Sequence, residues 1–352
     1  MQEAAFMKGC EAVGEAALKA GCRHFYAYPA TPATDLVEYM ARRLPASGGV
    51  FMQADSEISA LGMVYGAAAA GKRSMTALAG PGVGLCQESI SHLAASELPC
   101  VLVHLSRSGP GQGNVLPSQG DYFQATKCGP GDYHLLVLAP SSVQEAADLT
   151  CLAFYLADKY RNPVMVLADG ALGQLVERVN FSDRDLDSLP EIHWEVAGAA
   201  GRPRRVISSI CFSVSELAEH NLKLKEKYRD MARAHTLFEV YEGQDAKVLL
   251  VAFGTAARVA AKAVDKLRAE GYQVGLMRPI TLFPFPSDAL KERVSQVKAF
   301  LVVEMNLGQM LEDVERAVLG QRPVDFLGIT GGAVPTPEQI TAAVKETWEK
   351  HC

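Results

Sequence analysis

From His24 to Leu167, short apolar runs alternate with longer stretches of helical period, and most runs stop at a cluster of Gly, Pro, Ser, Thr or Asp. The runs include His24–Tyr28, Gly49–Gln53, Ser74–Leu78, Cys100–Leu105, Leu135–Leu138 and Val164–Leu167. Between them, residues 33–43, 56–70, 85–95 and 141–159 carry apolar residues at helical spacing. This β-α-β-α rhythm predicts an α/β fold, a parallel sheet with helices on both faces. Ligands of such sheets lie at the carboxyl ends of the strands. Residues 3–20 read as a further helix, with Gly21 as its C-cap.

Residues 181–206 change character. They are polar, carry prolines and show no period, and read as a linker. A charged amphipathic helix over 214–234 follows. A second α/β block begins at Asp245, with strands at KVLLVAFGT, Gln273–Met277, Phe300–Val303 and Asp325–Ile329 and a last helix over 337–349. The expected organisation is one domain over residues 1–185, a linker with its helix over 186–244, and a second domain over 245–352.

A chain of 352 residues is long enough for two such cores. Its net charge of −6 argues against nucleic acid as a partner. No apolar run reaches the ~18 residues of a membrane span, and the N-terminus has no secretory h-region. The eight cysteines form no C-x-x-C pair and sit in apolar stretches such as ELPCVLV, as reduced thiols of a cytoplasmic protein do. Iron–sulfur clusters need closely spaced thiolates, so none is expected in this chain.

Four strand ends carry residues suited to chemistry. Tyr28-Pro29-Ala-Thr31-Pro is a loop fixed by its prolines. In Gln53-Ala-Asp55-Ser56-Glu57, Ser56 or Asp55 reads as an N-cap and Glu57 as a first-turn acid. Gly80-Pro-Gly82-Val-Gly84 lacks the dinucleotide and P-loop patterns and reads as a turn into a close-packed helix. Ser106-Arg107-Ser108-Gly-Pro-Gly-Gln-Gly113 places an arginine among small residues. That suits a carboxylate or phosphate, or equally a neighbouring acid. His24 and His104, at the limits of strand runs, read as core or rim residues.

The segments YPATPATDLVEYMARRLP, FMQADSEISALGMVYGAAAAG, SRSGPGQGNVLPSQGDYFQATK, VLAPSSVQEAADL, YRNPVMVLADG, RPITLFPFP and VVEMNLGQM occur in one order. In that order they resemble the α-type subunits of 2-oxoacid:ferredoxin oxidoreductases, from about residue 8 to the end. PSQGDYFQATK and the linker helix look most like the branched-chain (2-oxoisovalerate) type, with the 2-oxoglutarate type as near relative. The resemblance implies a pyrimidine-binding-type domain of thiamine enzymes followed by a domain like the C-terminal one of transketolase. It implies thiamine diphosphate as cofactor, with Glu57 at N1′ of the aminopyrimidine and Pro29 and Gly82 beside it. Thiamine enzymes hold the diphosphate through Mg2+ on a Gly-Asp-Gly segment and a later Asn. Here Ala168-Asp169-Gly170 reads better as a strand-end turn.

By the same resemblance, Thr31 and Arg107 meet the substrate. The implied reaction is oxidative decarboxylation of a 2-oxoacid to acyl-CoA and CO2, with electrons passing to ferredoxin. The implied partners are a β-type subunit holding the diphosphate and Mg2+, γ and ferredoxin-like δ subunits, and [4Fe-4S] clusters outside this chain. The chain departs from the family at Cys10, Gly62, Ala77-Leu-Ala-Gly80, Ser108 and Cys128-Gly-Pro130. The changes remove polar groups and point to a less polar or differently shaped substrate pocket. Other readings are a thiamine synthase or dehydrogenase without ferredoxin and a non-catalytic scaffold. A nicotinamide dehydrogenase is disfavoured because the dinucleotide fingerprint is missing.

Overall fold

The computed structural model describes residues 5–127, 129–181 and 192–352. In chain order the first part holds β1 (Ala5–Lys8), α1 (Gly9–Lys19), β2 (His24–Ala27), α2 (Thr34–Arg43), β3 (Val50–Gln53), α3 (Glu57–Ala69), β4 (Ser74–Ala79) and α4 (Gly82–Ala95). Next come β5 (Cys100–Ser106), α5 (Tyr122–Thr126), β6 (Leu136–Leu138), α6 (Val143–Tyr160), β7 (Pro163–Asp169), α7 (Gly170–Gln174) and β8 (Val176–Val179). The second part holds α8 (Val214–His235), β9 (Phe238–Tyr241), β10 (Val248–Val251), α9 (Gly254–Ala269), β11 (Val274–Pro279) and β12 (Thr281–Phe283). It ends with α10 (Ser287–Arg293), β13 (Ala299–Glu304), α11 (Gln309–Val318), β14 (Val324–Gly328) and α12 (Pro337–His351).

Seven strands form one sheet in the order β12-β6-β7-β5-β4-β2-β3, and five form a second in the order β14-β13-β10-β11-β9. All neighbours are parallel except β12 on β6 and β9 on β11. Every residue of β4 and β5 is buried, which is why both read as unbroken apolar runs. Two strands cross between sequence blocks. β12, from the second block, closes the edge of the first sheet at β6, and β9, just after α8, borders the second sheet. One apolar cluster joins Leu102, Leu136 and Val166 of the first sheet to Leu249, Phe300 and Met310 of the second part.

The sequence reading needs two corrections. Residues 5–8 are not helical but pair antiparallel with β8, so α1 starts only at Gly9. The fourth helix starts at Gly82, so the Gly80–Gly84 segment is a turn for only its first two residues. His104 is a fully buried core residue. Asp169 ends β7 and accepts hydrogen bonds from the Ala171 and Leu172 amides, as a strand-end turn requires. The seven described cysteines are free thiols, and Cys352 is exposed. Burial pushes the Cys10, Cys22 and Cys86 thiols up to about 12. Cys128, the linker stretch 182–191 and residues 1–4 lie outside the described residues. Among the described residues, no helix is long and apolar enough to cross a membrane.

Candidate active site

Four adjacent strands deliver the candidate residues to one edge of the first sheet. β3 leads into Glu57, β2 into the Pro29–Pro32 loop, β4 into Gly80–Gly82 and β5 into Arg107. Ser56 is the N-cap of α3, and its hydroxyl accepts from the Ser59 amide at 3.1 Å. Glu57 is therefore the first helical residue and its side chain is partly exposed. Among the described residues no hydrogen bond or ion pair reaches its carboxylate. That carboxylate lies against the first turn of α4. A Cβ placed on Gly82 would stand 2.7 Å from Glu57 Oε1, so a larger residue there would displace the carboxylate.

Arg107 lies on the other side of the same turn. Its Nη1 donates to the Thr31 carbonyl at 3.0 Å and its Nη2 to Gln112 Oε1 at 3.1 Å. Its buried Nε has no partner among the described residues. Gly80, at φ +49°, passes beneath it, and a Cβ there would meet Arg107 Cγ and Nε at 2.8 Å. The structure thus brings Thr31 and Arg107 together, with Thr31 contributing its carbonyl while its own hydroxyl faces Thr34. Pro29 is half-buried, two residues earlier in that loop. Glu57 and Arg107 flank the turn Gly80-Pro81 and the first helical residue, Gly82.

Beside Arg107 opens a cleft of ≈ 390 Å³ between the two parts of the chain. Gly80, Arg107, Asp121 and Gln124 line it from one side, and Asn306 and Thr330 from the other. Gly80 and Ser108, two of the positions expected to depart from the family pattern, line this cleft. Cys10 is instead buried near Gly173, and Gly62 faces outward.

Two features of the cleft escaped the sequence reading. The first is Asp121, which accepts from the His104 ring at 2.9 Å, the Ser106 hydroxyl at 2.8 Å and the Gln124 amide at 2.7 Å. Burial pushes this carboxyl up, but the three donors outweigh it and hold its pKa below the usual aspartate range. A depressed folded-state pKa stabilises the fold above the unfolded value and ceases to do so as pH falls through the folded one. The stability gap between the wild type and Asp121→Asn, read from urea midpoints, should therefore be constant from about pH 7 to about pH 5 and shrink as pH falls below about 4.

The second feature is a lock between the two parts. The Gln119 side chain donates to the Phe253 carbonyl at 2.8 Å and accepts from the Met305 amide at 2.9 Å. Asn306 Nδ2 donates to the Gln119 carbonyl at 2.8 Å, and Gln309 Nε2 to that of Gly120 at 2.7 Å. Two of the motifs that carry the resemblance, PSQGDYF and EMNLGQ, therefore bind each other.

Residues 15–236 match the family described as pyruvate flavodoxin/ferredoxin oxidoreductase, thiamine diphosphate-binding. Residues 246–340 match pyruvate:ferredoxin oxidoreductase core domain II. The chain belongs to the 2-oxoacid:ferredoxin oxidoreductase family. It is 46% identical over 341 residues to the ketoisovalerate oxidoreductase subunit VorB of Methanothermobacter marburgensis, covering 97% of each chain. It is 35% identical over 381 residues to the 2-oxoglutarate synthase subunit KorA of Methanothermobacter thermautotrophicus, covering 97% of this chain and 98% of that one. Among solved structures, the 2-oxoglutarate:ferredoxin oxidoreductase of Magnetococcus marinus, with 2-oxoglutarate, coenzyme A and succinyl-CoA bound, superposes with a TM-score of 0.88 at 30% identity. That match covers 97% of this chain and 65% of the other. A split-gene transketolase, 16% identical at a TM-score of 0.63, shares the fold alone.

The residues present fit the pyrimidine half of thiamine diphosphate, the cofactor that this family of oxidoreductases binds. A partly exposed carboxylate without a partner is available to a ring nitrogen, and the small residues Gly80 and Gly82 leave room for a ring beside it.

Proposed function

We propose that this chain is the α-type subunit of a hetero-oligomeric 2-oxoacid:ferredoxin oxidoreductase. The enzyme converts a 2-oxoacid and coenzyme A to acyl-CoA and CO2 and passes two electrons, one at a time, to ferredoxin. The observation that carries this reading is the placement of Glu57 and Arg107 on either side of Gly80–Gly82, one with an unpaired carboxylate and the other with an unused buried Nε.

When bound, thiamine diphosphate supplies the centre that stabilises the carbanion left by decarboxylation. Glu57 holds a proton in its hydrogen bond to N1′ of the aminopyrimidine and so sets the ring's tautomer. Arg107 is fixed by the Thr31 carbonyl and Gln112, and turns its remaining donors to the substrate carboxylate. Thr31 and Pro29 form the loop over this position, and Gly82 lets the ring lie close to Glu57.

The diphosphate and Mg2+ are assigned to a β-type partner, and the [4Fe-4S] clusters to that partner and to γ and ferredoxin-like δ subunits. A reducing cytoplasm suits the free thiols. The 46% identity to ketoisovalerate oxidoreductase subunits favours a branched-chain 2-oxoacid. Identities of 35–36% to 2-oxoglutarate synthase subunits keep 2-oxoglutarate as the second reading. A substrate panel on the reconstituted complex separates the two: branched acids should lead, and 2-oxoglutarate far ahead would reverse the order.

The split site is tested by calorimetric titration of thiamine diphosphate with Mg2+, with and without the co-expressed partner. Tight binding is expected only in the complex, and tight binding by this chain alone would overturn the split. Arg107→Lys should raise KM for the 2-oxoacid by about tenfold or more and leave kcat within about twofold, because a point charge replaces a planar fork. Steady-state kinetics check both numbers.

A further inference from the structure

Residues 202–213 form neither helix nor strand, yet they are laid on the first part of the chain with a regular alternation. One side of this strap faces inward. Ile207 packs on the core, and the Ser209 hydroxyl lies 2.7 Å from His92 Nδ1. The other side presents Val206, Ile210, Phe212 and then Val214, which are 71%, 67%, 96% and 87% exposed. Among the described residues, the amides of Val206, Ile207, Ser208, Ser209, Cys211 and Phe212 make no hydrogen bond. Isolated exposed apolar residues are ordinary, but three on one side of a strand-like segment with unpaired amides, followed by a fourth at the start of α8, are not.

The position of the strap indicates what covers it. His92 lies in the last turn of α4, and the same stripe of that helix carries exposed Glu88 and Leu85 back to its first turn at Gly82. Upstream, the Val196 amide donates to the Ala69 carbonyl at the end of α3, the helix that begins with Glu57. The strap thus meets α4 about 15 Å along the helix from its first turn at Gly82, where the candidate half-site lies, while the segment just before the strap meets the end of α3. A stable interface takes about 800 Å² from each partner, a patch roughly 30 Å across. A subunit that covers Glu57 and extends along α4 therefore reaches the strap.

We propose that the strap from Val206 to Val214 is a docking element for the subunit that supplies the diphosphate half of the cofactor site. This rests on the split-site reading above. The occupant is a chain with an apolar groove for Ile210 and Phe212, flanked by acidic side chains for Arg204, which has no ion partner among the described residues.

Hydrogen–deuterium exchange of the co-expressed complex against the isolated chain tests the assignment without any substitution. The amides of 206–212 should exchange rapidly in the isolated chain and at least about tenfold more slowly in the complex. Equal exchange in both states overturns the proposal. Protection that grows with the concentration of this chain alone also overturns it, in favour of a second copy as occupant.

The double variant Ile210→Asp/Phe212→Asp should weaken association with the partner by about 30-fold or more while the isolated chain keeps its melting temperature. Unchanged association sinks the strap. A complex that binds thiamine diphosphate tightly while the strap stays in fast exchange sinks the strap and spares the split site. A protected strap in a complex that binds none overturns the identity given to the occupant.

Discussion

Glu57→Gln should lower kcat by about 10²–10³ in the assembled enzyme, with thiamine diphosphate content unchanged and the melting temperature lowered only slightly. The substitution keeps the size of the side chain and its place against Gly82, and removes its charge and its ability to hold or move a proton at the ring nitrogen. A first-turn acid with a purely local role behaves differently. It stabilises the start of α3 by about 0.3–1 kcal/mol through the helix dipole. Its loss would lower the melting temperature slightly and leave turnover alone. Measuring kcat, cofactor content and unfolding on one preparation separates the two roles, and unchanged kcat would make the catalytic assignment untenable.

The second large effect is expected far from the reacting atoms. Gln119→Ala removes one donor and one acceptor at the seam between the two parts, leaving the Met305 amide buried without a partner and the Phe253 carbonyl with the Ala257 amide alone. An orphaned buried group costs about 1–3 kcal/mol, so the fold should lose about that much. Asn306 and Gln309 hold the same loop, and Asp121 follows Gln119 by two residues, so the cleft wall should loosen as well. Calorimetric unfolding should show the loss of stability, and kcat/KM should fall with it. A variant as stable as the wild type would mean that water replaces the lost bonds at this seam.

The parallel core was legible because β4, β5 and β7 are covered on both faces and so read as continuous apolar runs. Segments whose conformation is set from a distance were not legible. Ala-Phe-Met-Lys at 5–8 continues the composition of the helix behind it, and only its pairing with β8 makes it a strand. β12 is three residues between prolines, fixed by β6 from the far side of the sequence. The α4 start was hidden by Pro81 and two glycines, which read as a turn although proline is well tolerated where a helix begins. At the candidate site, spacing alone left Glu57 as a capping-turn acid, and only the family resemblance singled it out. Asp121 and Gln119 gave no local signal at all. Most of their partners, His104, Ser106, Phe253 and Met305, become neighbours only after the sheets assemble.

The crossing of β12 into the first sheet has a consequence for how the chain is made. While β6 and its neighbours leave the ribosome, the strand that closes their edge has not been synthesised. At about 5–20 residues per second, the edge waits roughly seven to thirty seconds for Phe283. During that interval the nascent N-terminal half exposes an apolar border able to pair with any extended chain. Release of a truncated product ending near residue 245 should therefore yield aggregates, and the full-length polypeptide should depend on chaperones that shield that border until translation reaches the closing strand.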